Sequence, residues 1–329
     1  MIETKEQLAE WAETIRAVKE QIGRVIVGQQ EAVEQMLWCI FTGGHALLEG
    51  IPGLGKTMLV RTIADTLDLR FSRIQFTPDL MPTDITGTNI IQFGVRGETS
   101  YQFQAGPLFG NLVLADEINR ATPKTQSALL EAMQERTVTV GSETHVLPAP
   151  FFVLATQNPL ENEGTYPLPE AQLDRFLLKI HVTYPTREEL KTIVQRTTSQ
   201  AHPTADKAAD GVRLMDIQQG IKEVLVADDV LDYAVKLLLM THPHEAEATE
   251  TVRRYVRFGS GPRGIQAIVS VAKTRALFSG RVHVSRNDIE QVALPALRHR
   301  IFLNFEGQAS GVTTDDIIRD VIAVSGASR

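Results

Sequence analysis

Residues 50–57 read Gly-Ile-Pro-Gly-Leu-Gly-Lys-Thr, meeting every fixed position of the pattern G-x-x-x-x-G-K-[S/T]. No other stretch constrains the fold as strongly, because this pattern works only where a strand runs into a helix. Its flanks supply both. The apolar run at 45–49 precedes it, and 58–64 follows with helical spacing. In such a loop, consecutive backbone N–H groups and the positive end of the helix dipole face phosphate oxygens. Lys56 is expected to reach the β- and γ-phosphates of ATP, and the Thr57 hydroxyl to ligate Mg²⁺. Gly50, Pro52, Gly53, Leu54, Gly55 and Met58 complete the expected cradle.

Apolar segments at 45–49, 70–76, 111–115, 151–157 and 176–182 read as five strands, with helical patterns at 29–42, 57–67 and 124–134 between them. Near-continuous apolar strands suit a parallel sheet covered by helices on both faces. Residues 1–185 therefore read as a doubly wound α/β domain, with its ligand site at the carboxyl ends of the strands. Beyond Tyr184-Pro185-Thr186 the texture changes. Segments 187–199, 214–224, 228–242, 246–258, 263–279 and 285–297 read as helical, few residues look strand-like, and 199–211 reads as a loop. A smaller, all-α domain is expected over 186–329. Two stretches interrupt the α/β pattern. Residues 78–105 hold two β-prone patches, 85–93 and 99–104, separated by 94–97; residues 136–147 alternate about Gly141-Ser142, a hairpin signal. Taken alone, each could be a passive surface elaboration.

A length of 329 residues exceeds what one core usually supports and agrees with two domains. The net charge of −7 gives no general pull toward nucleic acid or anionic membrane. No apolar run approaches the roughly 18–20 residues that span a bilayer. Residues 1–20 are charged and amphipathic, without the apolar core of a signal peptide. The one cysteine, Cys39, cannot form an internal disulfide and is expected to be a buried structural thiol. A cytoplasmic location is the simplest expectation.

The chemistry beyond the loop comes from two further strand ends. Leu112-Val113-Leu114-Ala115 runs into Asp116-Glu117. An acidic pair after a strand is often only a solvated turn, but beside a phosphate loop it suits metal-dependent hydrolysis. Asp116 would complete the Mg²⁺ shell and Glu117 would polarise the attacking water, two tasks that need two carboxylates. The strand at 151–156 ends in Gln157-Asn158-Pro159. If it lies between the other two site strands, the Asn158 amide can orient water beside the γ-phosphate; otherwise Asn158 merely starts a loop.

Together the phosphate loop, Asp116-Glu117 and Asn158 resemble an AAA+ ATPase core. The stretches 116–121 (Asp-Glu-Ile-Asn-Arg-Ala), 126–135 (Gln-Ser-Ala-Leu-Leu-Glu-Ala-Met-Gln-Glu) and 163–176 (Glu-Gly-Thr-Tyr-Pro-Leu-Pro-Glu-Ala-Gln-Leu-Asp-Arg-Phe) are similar to the MoxR family. The resemblance runs from about residue 28 to near 300. It implies a P-loop core with a parallel five-stranded sheet and an all-α lid. The interruptions at 78–105 and 136–147 then correspond to the helix-2 insert and the β-hairpin of a clade that includes magnesium-chelatase subunits and certain helicases, which face a central pore. The resemblance also assigns roles. Arg175 matches an arginine finger that reaches a neighbour's γ-phosphate. Arg263, in Gly261-Pro262-Arg263-Gly264, matches the sensor arginine that contacts its own subunit's nucleotide; the preceding loop departs from the commoner Ser-Pro-Arg-Ala, but the arginine is kept. Val27-Gly28 resembles the segment lining the adenine pocket. Arg120 is an interface candidate, or equally an ordinary helix cap or ion pair.

What the resemblance implies is a homo-oligomeric ring, a hexamer, that hydrolyses ATP with Mg²⁺ and acts on client proteins. Chaperone-like remodelling, maturation or metal insertion, on a partner with a von Willebrand factor A domain, are the tasks so implied. A magnesium-chelatase-like motor subunit is the alternative with the same architecture. A nucleic-acid motor is disfavoured by the acidic chain and by the non-basic hairpin tip Gly141-Ser142-Glu143. A guanine-nucleotide switch is disfavoured because no Asn-Lys-x-Asp occurs.

Overall fold

The computed structural model of the chain describes residues 5–93, 99–159, 164–198 and 203–327. Helices α1 (Lys5–Val25) and α2 (Gln30–Thr42) precede β1 (Ala46–Glu49), the glycine-rich loop and α3 (Lys56–Thr66). Strand β2 (Phe71–Gln75) leads through the short α4 (Pro82–Thr86) into a hairpin of β3 (Gly87–Phe93) and β4 (Thr99–Ala105). Next come β5 (Leu112–Asp116), α5 (Pro123–Glu135) and a second hairpin, β6 (Thr137–Val140) and β7 (Glu143–Val146). Then β8 (Phe152–Gln157), the one-turn α6 (Glu170–Leu173) and β9 (Leu178–His181) complete the α/β part. Helices α7 (Arg187–Thr197), α8 (Gly211–Lys222), α9 (Asp228–Leu239) and α10 (Glu250–Tyr255) follow, then β10 (Val256–Phe258), α11 (Pro262–Phe278), α12 (Arg286–Leu297), β11 (Phe302–Leu303), α13 (Phe305–Ala309) and α14 (Thr314–Ala327).

All five apolar segments form one parallel sheet in the order β2-β5-β8-β1-β9. Alternation along each strand feeds two separate cores, as the two-residue period of a strand requires. Ala46, Leu48, Leu112, Leu114, Phe152 and Leu154 face one core; Leu47, Val113, Ala115, Val153 and Ala155 face the other. The central strands β1, β5 and β8 are covered on both faces and are apolar up to their carboxyl ends, whereas the edge strands β2 and β9 carry polar residues. The order also puts β8 between β5 and β1, the condition on which the reading of Asn158 depends.

The first of these cores does not stop at the sheet. Phe41 on α2 meets Phe278 on α11 edge-on at 5.3 Å, and Ile268, Val271 and Ala272 of α11 belong to the same cluster as Met36, Leu37 and Ile40. Three consecutive residues after α12 add polar anchors on the start of β9. Arg298 donates to the Lys179 carbonyl at 3.3 Å, His299 Nε2 bonds the Phe176 carbonyl at 2.9 Å, and Arg300 donates to Asp174, Phe176 and Leu177.

The hairpins take the forms expected, and they meet. Phe103 on β4 stacks on His145 of β7 at 3.8 Å, with Phe109 edge-on to Phe103. The base of the first is pinned by Gly87 and Gly106: a Cβ on Gly87 would stand 2.3 Å from the Gln104 carbonyl oxygen, and one on Gly106 2.4 Å from that of Ile85. The expected turn at 94–97 lies outside the described residues, as do Glu163 and residues 199–202. One helix was placed too long. Residues 256–258, expected as its end, form β10, paired with β11. Val256 and Phe258 suit a strand, and the pairing partner lies more than forty positions on. Helices α13 and α14 lie beyond the helical patterns read from sequence. Cys39 is buried with a free thiol whose pKa burial raises. Among the described residues no helix is long and apolar enough to cross a membrane.

Candidate nucleotide-hydrolysis site

The glycine loop leaves β1 at the carboxyl edge of the sheet. Gly50 is glycine because β9 runs beside it: a Cβ there would lie 2.8 Å from the Val182 carbonyl oxygen. Gly53 and Gly55 take left-handed φ values of 84° and 75°, and the space where their side chains would stand is open. Backbone N–H groups at the start of α3 are thus accessible to an anion. Lys56 Nζ donates to the Gly50 carbonyl at 2.6 Å, folding the ammonium over the loop. Partial burial lowers its pKa, while the charges of Asp116 and Glu117 act to raise it. Thr57 is half-buried on the first turn of α3. An open cradle, a folded-over ammonium and two carboxylates within electrostatic range fit a metal-bound polyphosphate. Among the described residues no cluster of three or more His, Cys, Asp or Glu could hold a metal alone.

Beside the loop is a cavity of about 390 Å³ whose walls include Val27, Leu54, Met58, Tyr184, Leu190 and Ile193. Its size and apolar walls suit a heterocyclic base. Gly28, at φ 69°, acts next to it rather than on its wall: a Cβ would lie 2.4 Å from Glu189 Oε1. Glu189 closes the capping box of α7 with Thr186, so the missing side chain at Gly28 lets α7 approach the loop.

Asp116 and Glu117 are organised by Thr156 at the end of β8. The Thr156 hydroxyl donates to Asp116 Oδ1 at 2.6 Å and accepts from the Glu117 N–H at 2.8 Å. Glu117 has φ 57°, a left-handed conformation uncommon outside glycine. Its Oε2 accepts from Gln75 Nε2 at 2.9 Å and from Arg120 Nη1 at 3.1 Å, so Arg120 is an ion-pair partner here. Asp116 Oδ2 accepts from Arg73 through Nη2 at 2.7 Å and Nε at 3.2 Å. Asn158 is buried at the carboxyl end of β8, between the loop and the carboxylates. Sequence reasoning missed Thr156, Arg73 and Gln75. The signal for the last two was a pair of polar residues two apart, on one face of a strand.

Arg175 and Arg263 lie elsewhere. Both line a cavity of about 290 Å³ that also touches Gly44 and His45, at the amino end of β1. Arg175 Nη1 donates to the Leu130 carbonyl at 2.9 Å, and Arg263 Nη1 stands 3.7 Å from Asp174 Oδ2. Arg263 thus stands at the amino edge of the sheet, and at ~3.3 Å per residue the length of β1 separates it from the loop. His45 beneath this cavity is a structural group. Its Nδ1 accepts from the Val153 N–H at 2.9 Å, so Nε2 donates to the Met133 carbonyl at 3.1 Å. Burial holds its pKa down to about 4, so the ring is neutral.

The family model described as ATPase family associated with various cellular activities (AAA) matches residues 45–178, and the AAA lid domain model matches 248–321. Chaperone MoxR1 of Mycobacterium tuberculosis is 42% identical over 317 residues, covering 96% of this chain and 83% of that protein. Uncharacterized protein YeaC of Bacillus subtilis is 41% identical over 305 residues, covering 92% of each. A crystal structure assigned as an ATPase, from Cytophaga hutchinsonii, superposes with a TM-score of 0.90 at 42% identity, covering 97% of this chain and 96% of that one. With a parallel P-loop sheet, a helical lid and relatives of this identity over most of its length, the chain belongs to the MoxR family of AAA+ ATPases.

Proposed function

We propose that this chain is one subunit of an ATP-hydrolysing ring, a hexamer, that remodels or matures partner proteins. The observation that carries the reading is the separation of its arginines from its own loop. Lys56, Thr57, Asp116, Glu117 and Asn158 stand at the carboxyl edge of the sheet, Arg175 and Arg263 at the amino edge. A guanidinium serves hydrolysis only beside the phosphates, where supply in trans is worth ~10³–10⁵ in rate. Both arginines can do so only for another subunit.

Each site residue then has one task. The backbone of 53–57 and Lys56 hold the phosphates, and the apolar cavity at Val27 holds adenine. Thr57 and Asp116 would hold Mg²⁺, which when bound neutralises charge on the phosphate oxygens. Glu117 accepts a proton from the attacking water, and Asn158 orients that water. Thr156 fixes both carboxylates relative to each other.

The name of the mycobacterial relative, a chaperone, supports protein clients. Resemblance alone points to a partner with a von Willebrand factor A domain. The paired hairpins suit a chelatase-like motor subunit equally well. The test of the ring is the dependence of turnover per chain on protein concentration. It should rise steeply with assembly and then saturate. Constant turnover down to concentrations where sedimentation finds only monomer would overturn the reading.

A further inference from the structure

We propose that Arg73 is a stand-in cation: it occupies the carboxylate of Asp116 and competes there with the divalent metal. This rests on Asp116 being a metal-binding residue, and it names a residue that guards that position. Arg73 is on β2, the edge strand next to β5, and reaches over to the last residue of β5. Two of its nitrogens point at the same oxygen, Asp116 Oδ2. The other carboxylate oxygen is taken by Thr156. Both faces of Asp116 are thus engaged, and of the two donors the guanidinium is the one with a positive charge.

Gln75 braces this arrangement. Arg73 Nη2 donates to Gln75 Oε1 at 2.7 Å, and Gln75 Nε2 donates to Glu117 Oε2. A guanidinium only donates and a carboxylate only accepts, so one orientation of the amide satisfies both neighbours. Arg73 is therefore aimed at Asp116 by its own strand as well as by attraction. The position is also one it can leave. The Arg73 side chain is 47% exposed, against 13% for Asp116, so water can replace its bonds at small cost. A divalent ion on Asp116 and a guanidinium on the same oxygen repel each other, and the more mobile group gives way. An ordinary surface ion pair would have no such consequence, because nothing would compete for its carboxylate.

Mn²⁺ titrations followed by EPR, with ADP bound and an ADP-only control, test this directly. They should be run on the native chain and on Arg73→Gln, Arg73→Lys and Asp116→Asn. Arg73→Gln should bind Mn²⁺ roughly two- to fivefold more tightly, the range for losing a partly exposed ion pair. Arg73→Lys, which keeps the charge, should stay close to the native affinity. Equal or weaker binding in Arg73→Gln, with Asp116→Asn clearly impaired, would overturn the proposal for Arg73 alone. Native affinity in Asp116→Asn would instead overturn the assignment of Asp116. Thermal melts report whether each variant is folded, and the charge-keeping Arg73→Lys supplies an independent reading if Arg73→Gln is not.

Discussion

Thr156 shows how one side chain can fix two neighbouring carboxylate residues relative to each other. Its hydroxyl uses its donor on Asp116 and an acceptor pair on the Glu117 N–H, which helps hold Glu117 in a left-handed conformation that otherwise costs free energy. With Glu117 as the proton acceptor, Glu117→Gln should bind ATP with near-native affinity and hydrolyse it at least ~10²-fold more slowly. Equilibrium binding and steady-state hydrolysis on one preparation check both halves. Lys56, Asp116 and Glu117 were legible in the sequence because each has a fixed offset from a strand end. Thr156, Arg73 and Gln75 were not. Their meaning comes from register, Gln75 being paired with Asp116 across two strands far apart in the chain.

A buried residue supplies a second test at this scale. His45 is neutral when folded, with its pKa lowered to about 4, and would titrate near 6.5 when unfolded. The unfolded chain therefore binds more protons between those values, and stability falls as pH falls through that window. From pH 7 to pH 5 the loss from His45 is about 2 kcal/mol. His299, lowered by burial and by its arginine neighbours, acts in the same direction. Glu49 is held down to about 2: burial raises it, but bonds and charges from His181 and Lys179 outweigh that. Its contribution is lost only at more acid pH. Urea unfolding at pH 7 and pH 5 should show the loss, and His45→Gln should reduce the dependence.

Among the elements, α1 meets α8 at one tight position. Trp11 of α1 lies over Gly220 of α8, and a Cβ on Gly220 would stand 2.1 Å from the indole ring. Trp11 Nε1 also donates to Asp216 on α8 at 2.9 Å. Replacing a mid-helix glycine by alanine favours the helix by roughly 0.5–1 kcal/mol. Overpacking against a rigid, buried ring costs about 1–3 kcal/mol. The second effect is larger, so Gly220→Ala should lower the urea midpoint; an unchanged or raised midpoint would contradict this packing. Elements were legible where their cause is local. The central strands β1, β5 and β8 announced themselves as apolar runs, since strands covered on both faces need no polar residues. Residues 256–258 were misread because their strand exists through pairing with Phe302 and Leu303, which no local pattern encodes.

At the scale of the whole molecule, the helical lid and the α/β sheet share one continuous core and are further tied by Arg298, His299 and Arg300 on β9. Asp174 sits between Arg300 and Arg263 and directly precedes Arg175. The lid and the segment carrying Arg175 are thereby joined at one point. The position of Arg263 was not legible because its motif fixes only a helix start, not the edge of the sheet that start faces. In the proposed ring each subunit would be half of two sites: its carboxyl edge would supply the loop for one, and its amino edge the arginines for the next.

The most direct measurement of that claim mixes two inactive variants, Lys56→Ala, which lacks a working loop, and Arg175→Ala, which lacks the finger. In rings assembled at random from equal amounts, roughly a quarter of interfaces pair an intact loop with an intact arginine. ATP hydrolysis by the mixture should rise well above the sum of the two variants alone and peak near equal proportions. Activity equal to that sum at every ratio, with subunit exchange demonstrated, would contradict a site completed by the neighbour.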